Sequence, residues 1–224
     1  MALVLYQHPF ASYCQKALVA LYELGLPFES HIVEGEQGRE ELARLWPMAS
    51  IPVLRDEDAD LTLPESTTII EYVDGLAAGG PALIPSDAAD ALRARLWDRF
   101  ADQYLSTPMQ KIVADELRPD GRRDPEGVAE ARRTLDAAFG VLDARLAGRR
   151  WAGGDTFTVA DCAAFPPLFY LRAIHRWDAA EVTRYYRDLL ARPAIARVVD
   201  EARPYRDLFP LPWPEDQDAV GVPS

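Results

Sequence analysis

Cysteine is scarce in this 224-residue chain: its two residues, Cys14 and Cys162, make neither a disulfide framework nor a cysteine-ligated metal cluster. The three histidines, His8, His31 and His175, lie far apart and lack ligand spacing, so no metal site is expected. Long apolar runs are missing too. No stretch approaches the roughly 20 residues of a membrane span, and the opening MALVLYQHPF lacks the basic region and cleavage site of a secretory signal. Those absences point to a cytoplasmic protein with no membrane partner. Positive charge is in deficit, with 24 Lys/Arg against 36 Asp/Glu and a net charge of −12. Nothing resembles a basic stripe, which argues against a nucleic-acid partner.

What the chain does contain is 49% hydrophobic and 27% charged residues, the balance of a soluble globular protein. Its length suits one large domain or two modest ones. The acidity is uneven: residues 1 to 80 hold four Lys/Arg against thirteen Asp/Glu, and the remainder twenty against twenty-three. An anionic ligand gains no long-range steering from the first region, so local helix ends and backbone donors have to hold it.

Taken in order, Ala2 to Tyr6 reads as a buried strand, and His8-Pro9-Phe10-Ala11-Ser12-Tyr13 as a turn. Ala17, Leu18, Leu21, Tyr22 and Leu24 give helical spacing up to a Gly25 stop. Phe28 to Val33 is a second strand, and Glu36 to Leu45 a charged helix ended by Trp46-Pro47. The stretch from Ser50 to Ser66, SIPVLRDEDADLTLPES, pairs two apolar runs, Ile51 to Leu54 and Leu61 to Leu63, across an acidic turn. A helix from Ser66 to Leu76 follows. This βαβα-ββ-α order is a thioredoxin-like α/β layer, and a right-handed first crossover sets the Ser12 loop near Pro52.

Ala77-Ala78-Gly79-Gly80-Pro81 breaks the pattern and marks a boundary, giving domains of 1–78 and 85–224. Beyond it no strand is expected. Asp87 to Leu117 reads as one long helix bent or interrupted at Pro108, followed by helices over 124–146, 159–173, 179–191 and 194–202: an all-α second domain. At the turn before Val159, Thr158 and Asp161 are spaced as a capping box, with Phe157 against Cys162 as the hydrophobic staple. The proline-rich tail, 204–224, is expected to be extended or in part disordered, with its first half packed on the domain.

The two ends of the 50–66 stretch carry the chemistry. A proline cannot donate to a ladder, and a cis bond at Ile51-Pro52 would turn the Ile51 main chain outward to pair with an extended peptide. Glu65-Ser66 stand at a helix start, whose N–H groups and positive dipole end hold a carboxylate while Glu65 holds an amine. Together these are the needs of a short zwitterionic peptide.

Val/Ile-Pro before a strand, with Glu/Gln-Ser about a dozen residues later, resembles the glutathione site of cytosolic glutathione transferases, serine/cysteine type. Ile51-Pro52 and Glu65-Ser66 match both motifs, and Phe157-Thr158-Val159-Ala160-Asp161 matches a further family pattern. The resemblance spans nearly the whole chain. It implies glutathione as co-substrate, a thiol activated from the first loop, an electrophile pocket from the helical domain, and a homodimer.

Placing Cys14-Gln15-Lys16 on the family's Cys-x-Lys/Arg puts Ala11 where serine and cysteine classes carry their catalytic residue. The candidates left are Ser12, Tyr13 and Tyr6. Ser12 is also the expected N-cap of the first helix, Tyr13 an alternative pocket residue, and Tyr6 a strand residue suited to burial. With Ala11 and Ser12 in place of a first cysteine, a two-thiol redox loop is excluded, and Cys14 is expected to be buried and inert. For the glycine carboxylate the candidates are Arg39 and Gln37. The electrophile pocket is assigned Phe10, Phe100, Tyr104, Met109 and Ile112, provided the long helix is regular; such aromatics also suit a plain core.

Three functions follow. The first is a transferase adding the glutathione thiolate to an electrophilic, mostly apolar small molecule. A glutathione-dependent isomerase or lyase is the second, and a non-catalytic glutathione-binding or interaction protein on the same fold the third.

Overall fold

The computed structural model describes residues 2–77, 79–80 and 82–214, and the chain divides into two compact units, Met1–Ile84 and Pro85–Ser224. Ala78, Pro81 and the end of the tail, including Pro223, lie outside the described residues.

In the first unit, β1 (Leu3–Gln7) lies between β2 (Glu29–Ile32) and β3 (Val53–Asp56), with β4 (Leu61–Pro64) at the far edge. β1 runs parallel to β2 and antiparallel to β3, which pairs antiparallel with β4. Leu3, Leu5 and Gln7 alternate inward along β1. Over them pack α1 (Ser12–Glu23), which buries Ala17 to Leu21, and α3 (Ser66–Leu76), which buries Ile69, Ile70 and Val73. The remaining helix, α2 (Gly35–Leu45), buries only Leu42, as its charge implies.

Two side chains tie α3 down. The Asp56 carboxylate accepts from Tyr72 Oη at 2.8 Å and from the Ala59 N–H at 3.0 Å, joining the hairpin to the helix. Those donors hold the Asp56 carboxyl below its usual range. Asp74 accepts from the Leu83 and Ile84 amides at 2.6 and 3.2 Å, so the chain leaving this unit is anchored to its last helix.

Strand β3 differs from expectation. It begins two residues after Ile51 and continues through Arg55 and Asp56, which pair with both β1 and β4. Pro52 has no N–H to offer a ladder, so pairing starts at Val53 and the acidic turn shrinks to Glu57–Asp60.

The second unit is helical among its described residues: α4 (Ala88–Phe100), a π segment (Ala101–Ser106), α5 (Thr107–Glu116), α6 (Pro125–Leu146), α7 (Val159–Ile174), α8 (Ala180–Leu190), α9 (Pro193–Ala202) and a 3₁₀ turn (Arg203–Leu208). The expected single helix over 87–117 is thus three pieces. The wide turn precedes Pro108, whose ring removes an amide donor and crowds the preceding turn; Thr107 Oγ1 caps the Asp102 carbonyl at 3.0 Å.

Both halves of the Thr158/Asp161 capping box form. Asp161 is fully buried and also accepts from the Ala152 N–H at 2.9 Å and Tyr185 Oη at 2.6 Å, so one carboxylate fixes α7, the loop before it and α8. Phe157 sits edge-on to Trp151 and under the Arg192 guanidinium. The start of the tail is a 3₁₀ turn rather than extended chain, after which Phe209 stacks on Tyr170 and Trp213 packs at a tilt against Phe169.

Candidate functional site

Strand register builds one end of the first unit. Val53 pairs with Tyr6 on one side and Pro64 on the other, so three chain ends leave the sheet side by side. They are the loop from Gln7 to Ser12, the approach through Ile51-Pro52, and Glu65-Ser66 entering α3. The Ile51-Pro52 bond is cis, and Ile51 lies before the first paired residue.

Two helix N-termini converge on this end. In α1 the first intrahelical bond runs from the Gln15 N–H to the Ala11 carbonyl at 2.9 Å, and in α3 from the Ile69 N–H to the Glu65 carbonyl at 2.9 Å. The amides of Ser12, Tyr13 and Cys14, and of Ser66, Thr67 and Thr68, therefore lie at helix ends where partial positive charge collects. Lys16 links the two ends. Its Nζ donates to Thr67 Oγ1 at 2.8 Å, and its side chain is only 1% exposed.

Glu65 enters α3 with φ 70° and ψ 117°, a conformation that a side chain rarely adopts. Its carboxylate is exposed, while Ser66, at the first helical position, is buried. Strain of this kind persists where the surroundings over-determine it. Here the β4 pairing of Pro64 on one side and the buried Ser66 and Ile69 on the other fix the backbone between them.

The first loop is held by its own groups. The Phe10 N–H donates to His8 Nδ1 at 3.1 Å, the Ala11 N–H to the His8 carbonyl at 2.9 Å, and Gln15 Nε2 to the Pro9 carbonyl at 3.0 Å. The N-cap of α1 is Ala11, not Ser12, which stands one position inside the helix. Tyr13 follows it on the first turn, and Cys14 is fully buried, its thiol pushed up to about 12 by desolvation while a hydrogen bond from the His8 backbone pulls the other way. Such a thiol stays protonated and inert at neutral pH.

Tyr6 faces elsewhere. Its ring lies 4.6 Å from that of His31, which pairs with Glu41 of α2 at 3.4 Å, so it belongs to the α2 side of the sheet. Burial first, then Glu41, Glu57 and Glu29, raise the phenol above its ordinary value, with Arg55 opposing. Gln37 and Arg39 are exposed on α2.

The pocket candidates beyond Phe10 all belong to the second unit. Phe100 and Tyr104 have ring centroids 5.3 Å apart, and Tyr104 is 48% exposed. Met109 and Ile112 are buried at 3% and 4%. Placing Tyr104, Met109 and Ile112 on one helical face assumed a regular helix, and the π segment removes that regularity by turning the residues after it relative to those before. Tyr104 thereby stands at a surface and Met109 and Ile112 in a core.

Sequence reasoning missed Lys16 as a structural link and His8 as a loop anchor. A lysine among Cys14, Ala17 and Leu18 on an inward helix face was the available signal for the first. No signal marks the positive φ of Glu65, since side-chain residues rarely take it.

A sheet end with a stretch of backbone ahead of the ladder, two helix N-termini and a carboxylate suits a small extended ligand bearing both charges. Comparison with known proteins agrees with that class. Residues 5–81 match the family profile described as "Glutathione S-transferase, N-terminal domain", and residues 125–201 match "Glutathione S-transferase, C-terminal domain". The chain belongs to the glutathione S-transferase family. It is 33% identical over 191 residues to glutathione S-transferase GstB of Escherichia coli K12, covering 83% of this chain and 91% of that protein. A tobacco relative, glutathione S-transferase PARB of Nicotiana tabacum, is 27% identical over 205 residues, covering 87% and 95%. Among solved structures, glutathione transferase F7 of Populus trichocarpa superposes with a TM-score of 0.76 at 25% identity, covering 89% of this chain and 98% of that one. A glutathione S-transferase of Methylobacillus flagellatus, solved with glutathione bound, shares the fold with a TM-score of 0.79 at 24% identity, covering 88% and 98%.

The strain at Glu65 is testable by itself. Glu65→Gly and Glu65→Ala both remove the carboxylate, but only glycine accepts a positive φ freely. In urea unfolding the glycine variant is expected to be the more stable of the two by roughly 1 kcal/mol. Equal stability contradicts a strained Glu65.

Proposed function

We propose that the chain is a glutathione transferase, which binds glutathione at this end of the first unit and adds its thiolate to an electrophilic, mostly apolar small molecule. The observation that carries the reading is the convergence, through the Tyr6–Val53–Pro64 register, of Ile51-Pro52, Glu65-Ser66 and the Ser12 loop. The Ile51 main chain takes the backbone of the extended tripeptide. Ser66 and the first amides of α3 receive the γ-glutamyl carboxylate, and Glu65 its ammonium. Of the candidates for the glycine carboxylate, Gln37 and Arg39, the arginine offers the stronger charge-assisted contact. The names of the relatives support glutathione as the co-substrate.

Thiol activation falls to Ser12. Standing at the first position of α1, its hydroxyl and the neighbouring amides favour the thiolate over the thiol and lower the thiol pKa from its free value of about 8.5. Tyr6 and Tyr13 are the alternatives, Tyr6 the weaker because it lies on the α2 side. Phe10 is the residue of the first unit proposed to meet the apolar acceptor. A second reading, a glutathione-binding protein without catalysis, is favoured by one observation: Ala11 stands as N-cap with no side chain to offer.

Two measurements check this reading. Ultraviolet titration of bound glutathione in the wild type is expected to show a thiol pKa below the free value. Ser12→Ala should raise it and lower turnover with binding nearly unchanged, while Tyr13→Phe and Tyr6→Phe should titrate like wild type. A shift in a tyrosine variant alone reassigns the activating residue; an unperturbed thiol in the wild type replaces the enzyme by the binding protein. The second concerns assembly. Ile69, Ile70 and Val73 of α3 are buried in their own unit, but Leu92 and Leu96, one turn apart on α4, are 69% and 62% exposed. This face supports a homodimer, and light scattering is expected to give about twice the 25.0 kDa of the chain. A monomer at micromolar concentration contradicts it.

A further inference from the structure

The loop that carries Phe10 and Ser12 is built on His8, a residue with no part in the contacts proposed for glutathione. Between the last residue of β1, Gln7, and the first of α1, Ser12, only residues 8–11 intervene. Pro9 has no N–H, and its carbonyl is taken by Gln15 Nε2 at 3.0 Å. The amides of the next two residues both end on His8: Phe10 N–H on the ring Nδ1 at 3.1 Å, Ala11 N–H on the carbonyl at 2.9 Å. Ser12 takes its place directly from them.

The ring's chemistry is fixed by these neighbours. A backbone amide only donates, so Nδ1 presents its lone pair to Phe10 and the imidazole proton resides on Nε2. Nε2 faces Glu34 Oε1 at 3.4 Å, the His8 side chain being 14% exposed and that of Glu34 60%. A carboxylate beside Nε2 favours that same tautomer, and so reinforces Nδ1 as acceptor. A role in packing alone would use the ring's flat bulk and leave its nitrogens interchangeable.

We propose that His8 is a positioning residue: by accepting the Phe10 N–H at Nδ1, it sets where the Ser12 hydroxyl and the first amides of α1 stand relative to the bound thiol. This rests on the reading of the site as one that activates glutathione. Three substitutions separate the ring's functions. His8→Asn sets a carbonyl oxygen near the place of Nδ1 and so keeps an acceptor for Phe10. His8→Gln reaches the place of Nε2 and keeps a donor to Glu34, and His8→Phe keeps the flat ring with neither group.

The readouts are the hydrogen-exchange protection of the Phe10 amide by NMR, and kcat and KM for glutathione in its reaction with an aryl halide. In the asparagine variant, Phe10 is expected to stay protected and kcat to stay within about threefold of wild type; in the glutamine and phenylalanine variants, protection is lost and kcat falls about ten- to a hundredfold, with KM for glutathione nearly unchanged. Three outcomes overturn the proposal. Either glutamine or phenylalanine leaves kcat and Phe10 protection as in wild type, or asparagine falls alongside them, or kcat and KM move together. Should wild type itself leave glutathione unconsumed, the functional reading fails separately, and Phe10 exchange decides for His8. Protection kept only by asparagine then supports its hold on the loop, and protection kept by all three variants overturns it.

Discussion

Residue Val53 is paired on both sides, with Tyr6 of β1 and Pro64 of β4, and the first unit depends on that double pairing. Because the side-chain period of a strand is two, a slip of one residue in either pair would turn every side chain of β3 to the opposite face and carry Pro52 away from the end of β1. The core prevents the slip: Leu5, Val53 and Leu54 are fully buried, as are Ile69 and Ile70 of the helix that follows β4. Burial of about 1.5–3 kcal/mol per large apolar side chain fixes the register. The register in turn brings a proline, two helix N-termini and the first loop to one place. Here the hydrophobic core determines the geometry of a polar site.

The electrostatics of that site are local. The first 80 residues are strongly acidic, so attraction of an anionic peptide cannot come from the field of the unit as a whole. In the proposed reading it comes from amides at the ends of α1 and α3, tied through Lys16 and Thr67. Such donors act over the first turn only, which makes their placement critical. Backbone strain at Glu65, the Lys16 link and the hydrogen bonds to His8 all fix local geometry. The same logic keeps Cys14 out of the chemistry: desolvation holds it as a thiol.

Much of this was legible in the residues, because the relevant signals are local. Hydrophobic spacing and the Ser66 entry mark α3 with its observed bounds, and Thr158 with Asp161 marks the start of α7. Proline at the head of a strand announced an irregular bond. Where the sequence misled, a neighbour in space decided the matter. β3 runs on through Arg55 and Asp56 because strands on both sides pair with it, overriding the turn character of an acidic stretch. The break before Pro108 is a π segment, and the N-cap of α1 is an alanine, although a serine stands next to it. Positive φ at Glu65 and the tautomer of His8 follow from contacts that no spacing rule records.

The central claim is that the start of α3 and Glu65 hold the γ-glutamyl end of glutathione. Calorimetric titration of glutathione into wild type, Glu65→Ala and Ser66→Ala tests it most directly. Each variant loses a contact to a charged group, so the account predicts binding in the wild type and a loss of roughly 1.5–3 kcal/mol in each variant with the fold intact. Unchanged affinity in both folded variants would contradict it.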